Sequence, residues 1–191
     1  MSHKTPSTLS QVIWKPYSRL NYKAVPLSTL SWLLDATSLT QRLVARCPGQ
    51  FQVQVLDEGW ARPSLNESRA LGMKPGTVAR IRQVRLLCDG VPWVFARTII
   101  PYSTLKGPVR RLHLLGSKPL GAVLFADTSM RRGELEIAAI GKGSALYQDA
   151  MRAQRSKPAT IWGRRSVFYL SGKPLLVNEI FLPGLSSRKQ A

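Results

Sequence analysis

Histidine, cysteine and acid are all scarce in this sequence, and each shortage removes a class of chemistry. His3 and His113 are the only histidines among 191 residues, too few for a metal centre built from clustered His and Cys ligands. A Ser-His-Asp hydrolase would have to use His113, and no Gly-x-Ser-x-Gly elbow accompanies it. The two phosphate-cradling loops, Gly-x-x-x-x-Gly-Lys-Ser/Thr and Gly-x-Gly-x-x-Gly, are missing as well; Gly-Lys-Gly-Ser at 141–144 lacks the earlier glycine. No apolar run approaches the roughly 20 residues that cross a bilayer, and the N-terminus has no apolar signal segment. The two cysteines, Cys47 and Cys88, read as buried free thiols of a reducing compartment, so a cytoplasmic location is expected.

Against 10 acidic residues stand 28 lysines and arginines, a net charge of +18. The excess is dispersed, with no basic run longer than pairs such as Arg110-Arg111, Arg131-Arg132 and Arg164-Arg165. A dispersed excess attracts small anions, whereas nucleic acid calls for a basic stripe or an aromatic platform, so no nucleic-acid partner is expected. At 191 residues and 44% hydrophobic, the chain suits one sizeable core and one domain.

The most informative stretch is 164–183, two β-rich runs joined by Ser-Gly-Lys-Pro. In its second run Leu175, Val177, Glu179 and Phe181 alternate, so a lone carboxylate shares a strand face with apolar side chains. Such a group needs a partner or a use. The stretch 82–101 repeats the unit without gaps, with Gly90, Pro92 and Pro101 standing where Gly172, Pro174 and Pro183 stand. Asp89-Gly90 between strand-like runs predicts a hairpin. An even loop puts Arg82 opposite Arg97, two like charges on one apolar face that require an anion; a bulge near Pro92 would shift the register by one and separate them. The same count places Arg164 opposite Glu179, a favourable pair, while Arg85 reads as an ordinary surface base. Inward arginines beside one glutamate suit a small anion that also presents a hydroxyl or an acidic C–H.

Elsewhere, residues 1–27 read as an irregular lead-in, 28–183 as the folded domain and 184–191 as a frayed basic tail. Helices are predicted from Ser28 and from Ser38, the latter ending near Cys47 before Pro48-Gly49. Phe51, Val53 and Val55 mark a strand, 62–76 a connection, and 134–140 another strand. A short helix follows Lys118-Pro-Leu-Gly121. The polar stretch 143–158, with a short amphipathic helix, reads as a surface insertion.

Several of these segments together resemble the bacterial chorismate lyase family: Cys88-Asp-Gly-Val-Pro-Trp93, Ala96-Arg-Thr-Ile-Ile-Pro101, Lys118-Pro-Leu-Gly121, Trp162-Gly-Arg-Arg-Ser166, and Leu170-Ser-Gly-Lys-Pro through Glu179-Ile-Phe-Leu-Pro183. The resemblance covers about 30–183 and implies an α+β fold, a single antiparallel β-sheet with flap-like helix pairs over an internal ligand cavity. It implies a lyase that needs no cofactor or metal and converts chorismate to 4-hydroxybenzoate and pyruvate, the first committed step toward ubiquinone. The helix pair at 28–47 looks like one flap.

By the same resemblance Arg82 binds the ring carboxylate, Glu179 meets the 4-hydroxyl, and the backbone amides of Leu39 and Leu120 contact the ligand. Arg97 is expected to take the enolpyruvyl carboxylate, making Glu179, Arg82 and Arg97 the catalytic set. A monomer is implied. The 143–158 stretch and the high charge depart from the family pattern. An alternative is a ligand-sensing module, since effector domains of some bacterial transcription regulators look like this fold, although the first 27 residues are too few for a DNA-binding domain of typical size.

Overall fold

The computed structural model describes residues 10–152 and 154–187. Its strands are β1 (Lys15–Pro16), β2 (Phe51–Ala61), β3 (Ala79–Cys88), β4 (Val91–Pro101), β5 (Arg131–Arg132), β6 (Glu136–Gly141), β7 (Thr160–Leu170) and β8 (Lys173–Phe181). All pair antiparallel in one open sheet, in the order β1-β6-β7-β8-β4-β3-β2, with β5 beside β7. Among the described residues six short α-helices accompany the sheet: α1 (Leu27–Leu33), α2 (Leu39–Arg46), α3 (Leu65–Ala70), α4 (Leu120–Phe125), α5 (Ala145–Ala150) and α6 (Pro183–Ser187).

The two repeated hairpins, β3–β4 and β7–β8, form the centre of the sheet and join through β4 and β8. Their turns match. Asp89 and Ser171 have φ of 48° and 49°, and Gly90 and Gly172 have 73° and 75°, the left-handed pair that a two-residue hairpin matched to strand twist requires.

Register separates the hairpins. In β7–β8 it runs unbroken, and Arg164 faces Glu179 as expected. In β3–β4, Leu87 pairs Pro92 but Leu86 pairs Val94, so Trp93 is an extra residue. That bulge puts Arg82 opposite Thr98 and Gln83 opposite Arg97. The even-loop register is therefore corrected: because strand side chains alternate, one extra residue sends Arg82 and Arg97 to opposite faces of the sheet.

One face carries Val84, Leu86, Val94 and Phe181 against Leu33 of α1 and Leu39 and Leu43 of α2, and Phe168, Leu175 and Val177 against Leu120 and Leu124 of α4. The Ser38 hydroxyl starts α2 by accepting the Gln41 N–H at 3.4 Å. The other face packs Phe95, Ile140 and Ile180 against Tyr147, Ala150 and Met151. Those last three, all buried, come from the 143–158 stretch expected to be a surface insertion. Its amphipathic helix instead contributes core, because its apolar stripe needs a sheet face to cover.

Further expectations are corrected. The 62–76 connection contains α3, whose start is a full capping box: Ser64 Oγ accepts from Glu67 N and Glu67 Oε2 from Ser64 N. Arg85 is buried, 8% exposed, and donates to the Arg152 carbonyl; burial, and then Arg152, push its guanidinium below the usual range. Cys47 and Cys88 are not free thiols but a disulfide, their Cα atoms 5.7 Å apart. The lead-in carries β1 and two short 3-10 turns, and the tail begins with α6; residues 1–9 and 188–191 lie outside the described residues. Among the described residues no helix is long and apolar enough to cross a membrane.

Candidate active site

A narrow cavity of about 40 Å³ lies between the first sheet face and the helices α2 and α4, with Thr37 of the α1–α2 connection in its lining. Strand alternation decides what it contains. Arg82, Val84 and Leu86 enter from β3, Ala96 and Thr98 from β4, Val177 and Glu179 from β8, and Arg164 and Phe168 from β7. Arg132 closes the side at β5, and the first residues of α2 and α4, Leu39 and Leu120, form the roof. The two helix starts meet closely: a Cβ on Gly121 would come within 2.8 Å of Thr40 Oγ1. Their first amide N–H groups have no intrahelical acceptor and carry the positive end of each helix.

Arg82 is 2% exposed. Its Nη2 donates to the Gly116 and Lys118 carbonyls at 2.7 and 3.3 Å, so it anchors the segment that leads into α4. Its Nε lies 3.4 Å from Glu58 Oε2 yet has no well-formed hydrogen bond. Burial pushes this guanidinium below the usual arginine range, with Glu58 acting in the other direction. A buried cation with incomplete pairing gains from an arriving anion.

Among the described residues, Glu179 is the single acid in the cavity lining. Its Oε2 accepts from Arg164 Nε at 2.6 Å, and Oε1 has no hydrogen-bond donor among the described residues. Arg164 Nη1 donates to the carbonyls of Trp32, at 2.8 Å, and Asp35. The same guanidinium thus orients the carboxylate and ties down the α1–α2 flap. Asp35 in turn accepts from the Thr37 N–H at 2.7 Å and from Arg42 at 2.8 Å. Burial acts to raise the Asp35 pKa, but the Thr37 and Arg42 bonds outweigh it and hold the carboxyl below its ordinary 3.8.

Arg82, Glu179, Leu39 and Leu120 therefore share one cavity. Arg97 does not. It projects to the opposite face, where Nε and Nη2 form a double contact to Glu67 at 2.8 and 3.2 Å and Asn178 joins at 3.4 Å. A second cavity of about 230 Å³ opens there, lined in part by Trp14, Asn66, Glu67, Arg97 and Asn178. It is the larger of the two, but its arginine is already neutralised by Glu67. The smaller, roofed cavity holds the buried and incompletely paired cation. Placing Arg97 in the catalytic set is thus corrected, and the cause is the Trp93 bulge.

Two cavity arginines, Arg164 and Arg132, lie outside the expected site set. Arg164 was visible as Glu179's partner, and its alternation with Ser166 and Phe168 pointed to the same face. Arg132 left no such signal, because β5 is two residues long and shows no period. Among the described residues, no group of three or more His, Cys, Asp or Glu is placed to hold a metal.

The profile of the family described as chorismate lyase matches residues 8–191. The chain is 35% identical over 183 residues to a protein named chorismate pyruvate-lyase from Erwinia tasmaniensis, covering 96% of this chain and 92% of that one. It is 44% identical over 161 residues to one named "Probable chorismate pyruvate-lyase" from Aromatoleum aromaticum, covering 83% and 86%. Among solved structures, the C-terminal domain of the histidine utilization repressor from Pseudomonas syringae aligns with a TM-score of 0.54 at 13% identity, over 74% of this chain and 97% of that one. The effector domain of PhnF from Mycobacterium smegmatis aligns with a TM-score of 0.53 at 15% identity, over 78% and 91%. At such identities the likeness concerns the fold alone.

Proposed function

The chain belongs to the chorismate lyase family, and from that premise we propose that it eliminates pyruvate from chorismate to give 4-hydroxybenzoate. The observation that carries the reading is the meeting of Arg82 and Glu179 in one roofed cavity, a buried cation and the only lining acid, brought from separate hairpins. The sensor alternative rests on fold alone.

Chorismate carries a ring carboxylate, a 4-hydroxyl, and an enolpyruvyl ether at C3 with its own carboxylate. In this reading Arg82 holds the ring carboxylate, assisted by the amide N–H groups that begin α2 and α4, at Leu39 and Leu120. The Arg164 contact at 2.6 Å leaves Glu179 Oε1 to accept from the 4-hydroxyl. The ether bond at C3 breaks, C4 loses its proton, and the ring becomes aromatic. The departing enolpyruvyl group gains a proton on its methylene carbon and leaves as pyruvate. Aromatisation supplies the driving force, so the protein's part is to orient the substrate and stabilise developing charge. No step calls for a metal or a cofactor.

The cavity is narrow and roofed by helices that Arg82 and Arg164 tie down, so exchange of ligand requires the flap to open. Product occupies the space substrate does, and its slow departure limits turnover. The same reading makes the enzyme a cytoplasmic monomer at the entry to ubiquinone synthesis.

The test is incubation with chorismate while following 4-hydroxybenzoate by chromatography and pyruvate by a coupled assay. Equal amounts of the two are expected, with turnover lowered at least about 100-fold in Arg82→Ala. A Glu179→Gln variant that turns over at the full rate would show that the carboxylate only orients the 4-hydroxyl. Binding of 4-hydroxybenzoate without any pyruvate from the wild type would make the cavity a sensor's.

A further inference from the structure

With Arg97 on the far face of the sheet, a cationic partner for the enolpyruvyl carboxylate of chorismate has to come from another residue of the cavity. We propose that Arg132 receives it, so that the dianionic substrate is held between two guanidiniums on different strands, Arg82 at one end and Arg132 at the other. The inference rests on the lyase reading and adds a substrate-binding residue to it.

Three arginines line the cavity. Arg82 has Glu58 within 3.4 Å and Arg164 has Glu179 at 2.6 Å. Arg132 alone of the three has no carboxylate at ion-pair distance among the described residues. Its Nε donates to Ser166 Oγ at 3.1 Å and its Nη1 to the Ala36 carbonyl at 3.0 Å. Its Cζ lies 5.3 Å from the centre of the Phe168 ring. These contacts hold the guanidinium against the wall and leave Nη2 without a protein acceptor among the described residues. Burial, and then the neighbouring Arg164, act against its charge, and Glu179 and Asp35 only partly relieve this. A fixed, half-buried and unpaired guanidinium is a carboxylate site in waiting.

Charge and position agree. The lining carries three arginines and one glutamate; Glu179 is taken by Arg164 and Glu58 lies beside Arg82, so the guanidinium left without a carboxylate is that of Arg132. The sheet order runs β5-β7-β8-β4-β3 between the two arginines, about 19 Å at ordinary strand spacing. Their long side chains converge on the same cavity from its two sides. Glu179 projects from β8 between them, where the 4-hydroxyl would lie.

Arg132 also bonds the Ala36 carbonyl in the flap, so a flap latch is the competing role. The two separate by ligand. Product lies under the same flap as substrate but lacks the enolpyruvyl carboxylate. We would measure kcat/KM for chorismate and Kd for 4-hydroxybenzoate in the wild type, Arg132→Gln, Arg132→Lys and Arg82→Gln. Arg132→Gln is expected to lower kcat/KM at least about 30-fold, in line with loss of a charge-assisted contact, and to change product Kd by less than about threefold. Arg132→Lys, keeping the charge without the fork, is expected to recover part of the loss. Arg82→Gln is expected to weaken both ligands. Equal weakening of substrate and product by Arg132→Gln would leave only the latch and overturn the proposal, as would a kcat/KM within about threefold of wild type. Should Arg132→Gln not fold, Arg132→Lys carries the same comparison: lowered kcat/KM with unchanged product Kd supports the assignment, and parallel changes overturn it. A wild type that forms no pyruvate would instead defeat the lyase reading itself.

Discussion

At the scale of single residues, burial and pairing distinguish arginines that look alike in the sequence. Arg82 and Arg97 both sit in the first hairpin. One faces the cavity with its Nε unsatisfied, and the other is locked to Glu67, whose side chain is 6% exposed. Removing one member of a buried pair leaves the other charged and unpartnered. Glu67→Ala is therefore expected to destabilise the fold by roughly 3 kcal/mol, more than a lost helix cap of about 1 kcal/mol would. Urea denaturation measures it. A double variant, Glu67→Leu with Arg97→Met, should regain much of the loss; if it is as unstable as Glu67→Ala, stranded charge is not the cause. Glu179 was legible in the sequence as the one acid in an alternating apolar run. Glu67 was legible too, through Ser64 three residues earlier, although the turn-rich composition of 62–76 hid it.

At the scale of elements, the bulge at Trp93 and the α1–α2 flap determine the site. The bulge was foreseeable only as an option near Pro92, because local sequence does not say which residue a ladder leaves unpaired. The flap is held at one end by Arg164, which bonds the carbonyls of Trp32 and Asp35. At the other end the Cys47–Cys88 disulfide ties the close of α2 to the end of β3. A cross-link with a sequence separation of 41 stabilises by roughly 3–4 kcal/mol through the unfolded chain. Reduction is expected to lower the melting temperature by several degrees and to speed release of 4-hydroxybenzoate. Thermal scans and stopped-flow release with and without reductant measure both; release that does not change would mean that the flap is governed by its arginine end alone.

At the scale of the whole molecule, a net charge of +18 accompanies a cavity lined by three arginines. Long-range attraction raises encounter rates for anions and is screened by salt, the Debye length falling from about 30 Å at 0.01 M to about 3 Å at 1 M. For chorismate, kcat/KM is expected to fall at least about fivefold between low and high ionic strength, carried by KM and not by kcat, because product release follows capture. Steady-state kinetics across a salt series decide this, and a flat kcat/KM would mean that the dispersed charge serves another purpose.

By itself the sequence determined the two hairpins, while the fold class and the family came from resemblance to known sequences. Periodicity and turn chemistry act over a few residues, so they can be read without knowing what packs where. It also determined that Arg164 faces Glu179, because that hairpin has no bulge. Only the tertiary structure decided the face of Arg97, the burial of Arg85 and of the 143–158 helix, the cysteine bond and the presence of Arg132 at the cavity. Each depends on which distant segment lies opposite, and no local pattern encodes that. A two-residue strand has no period to read, and two cysteines 41 positions apart become neighbours only when α2 and β3 are brought together.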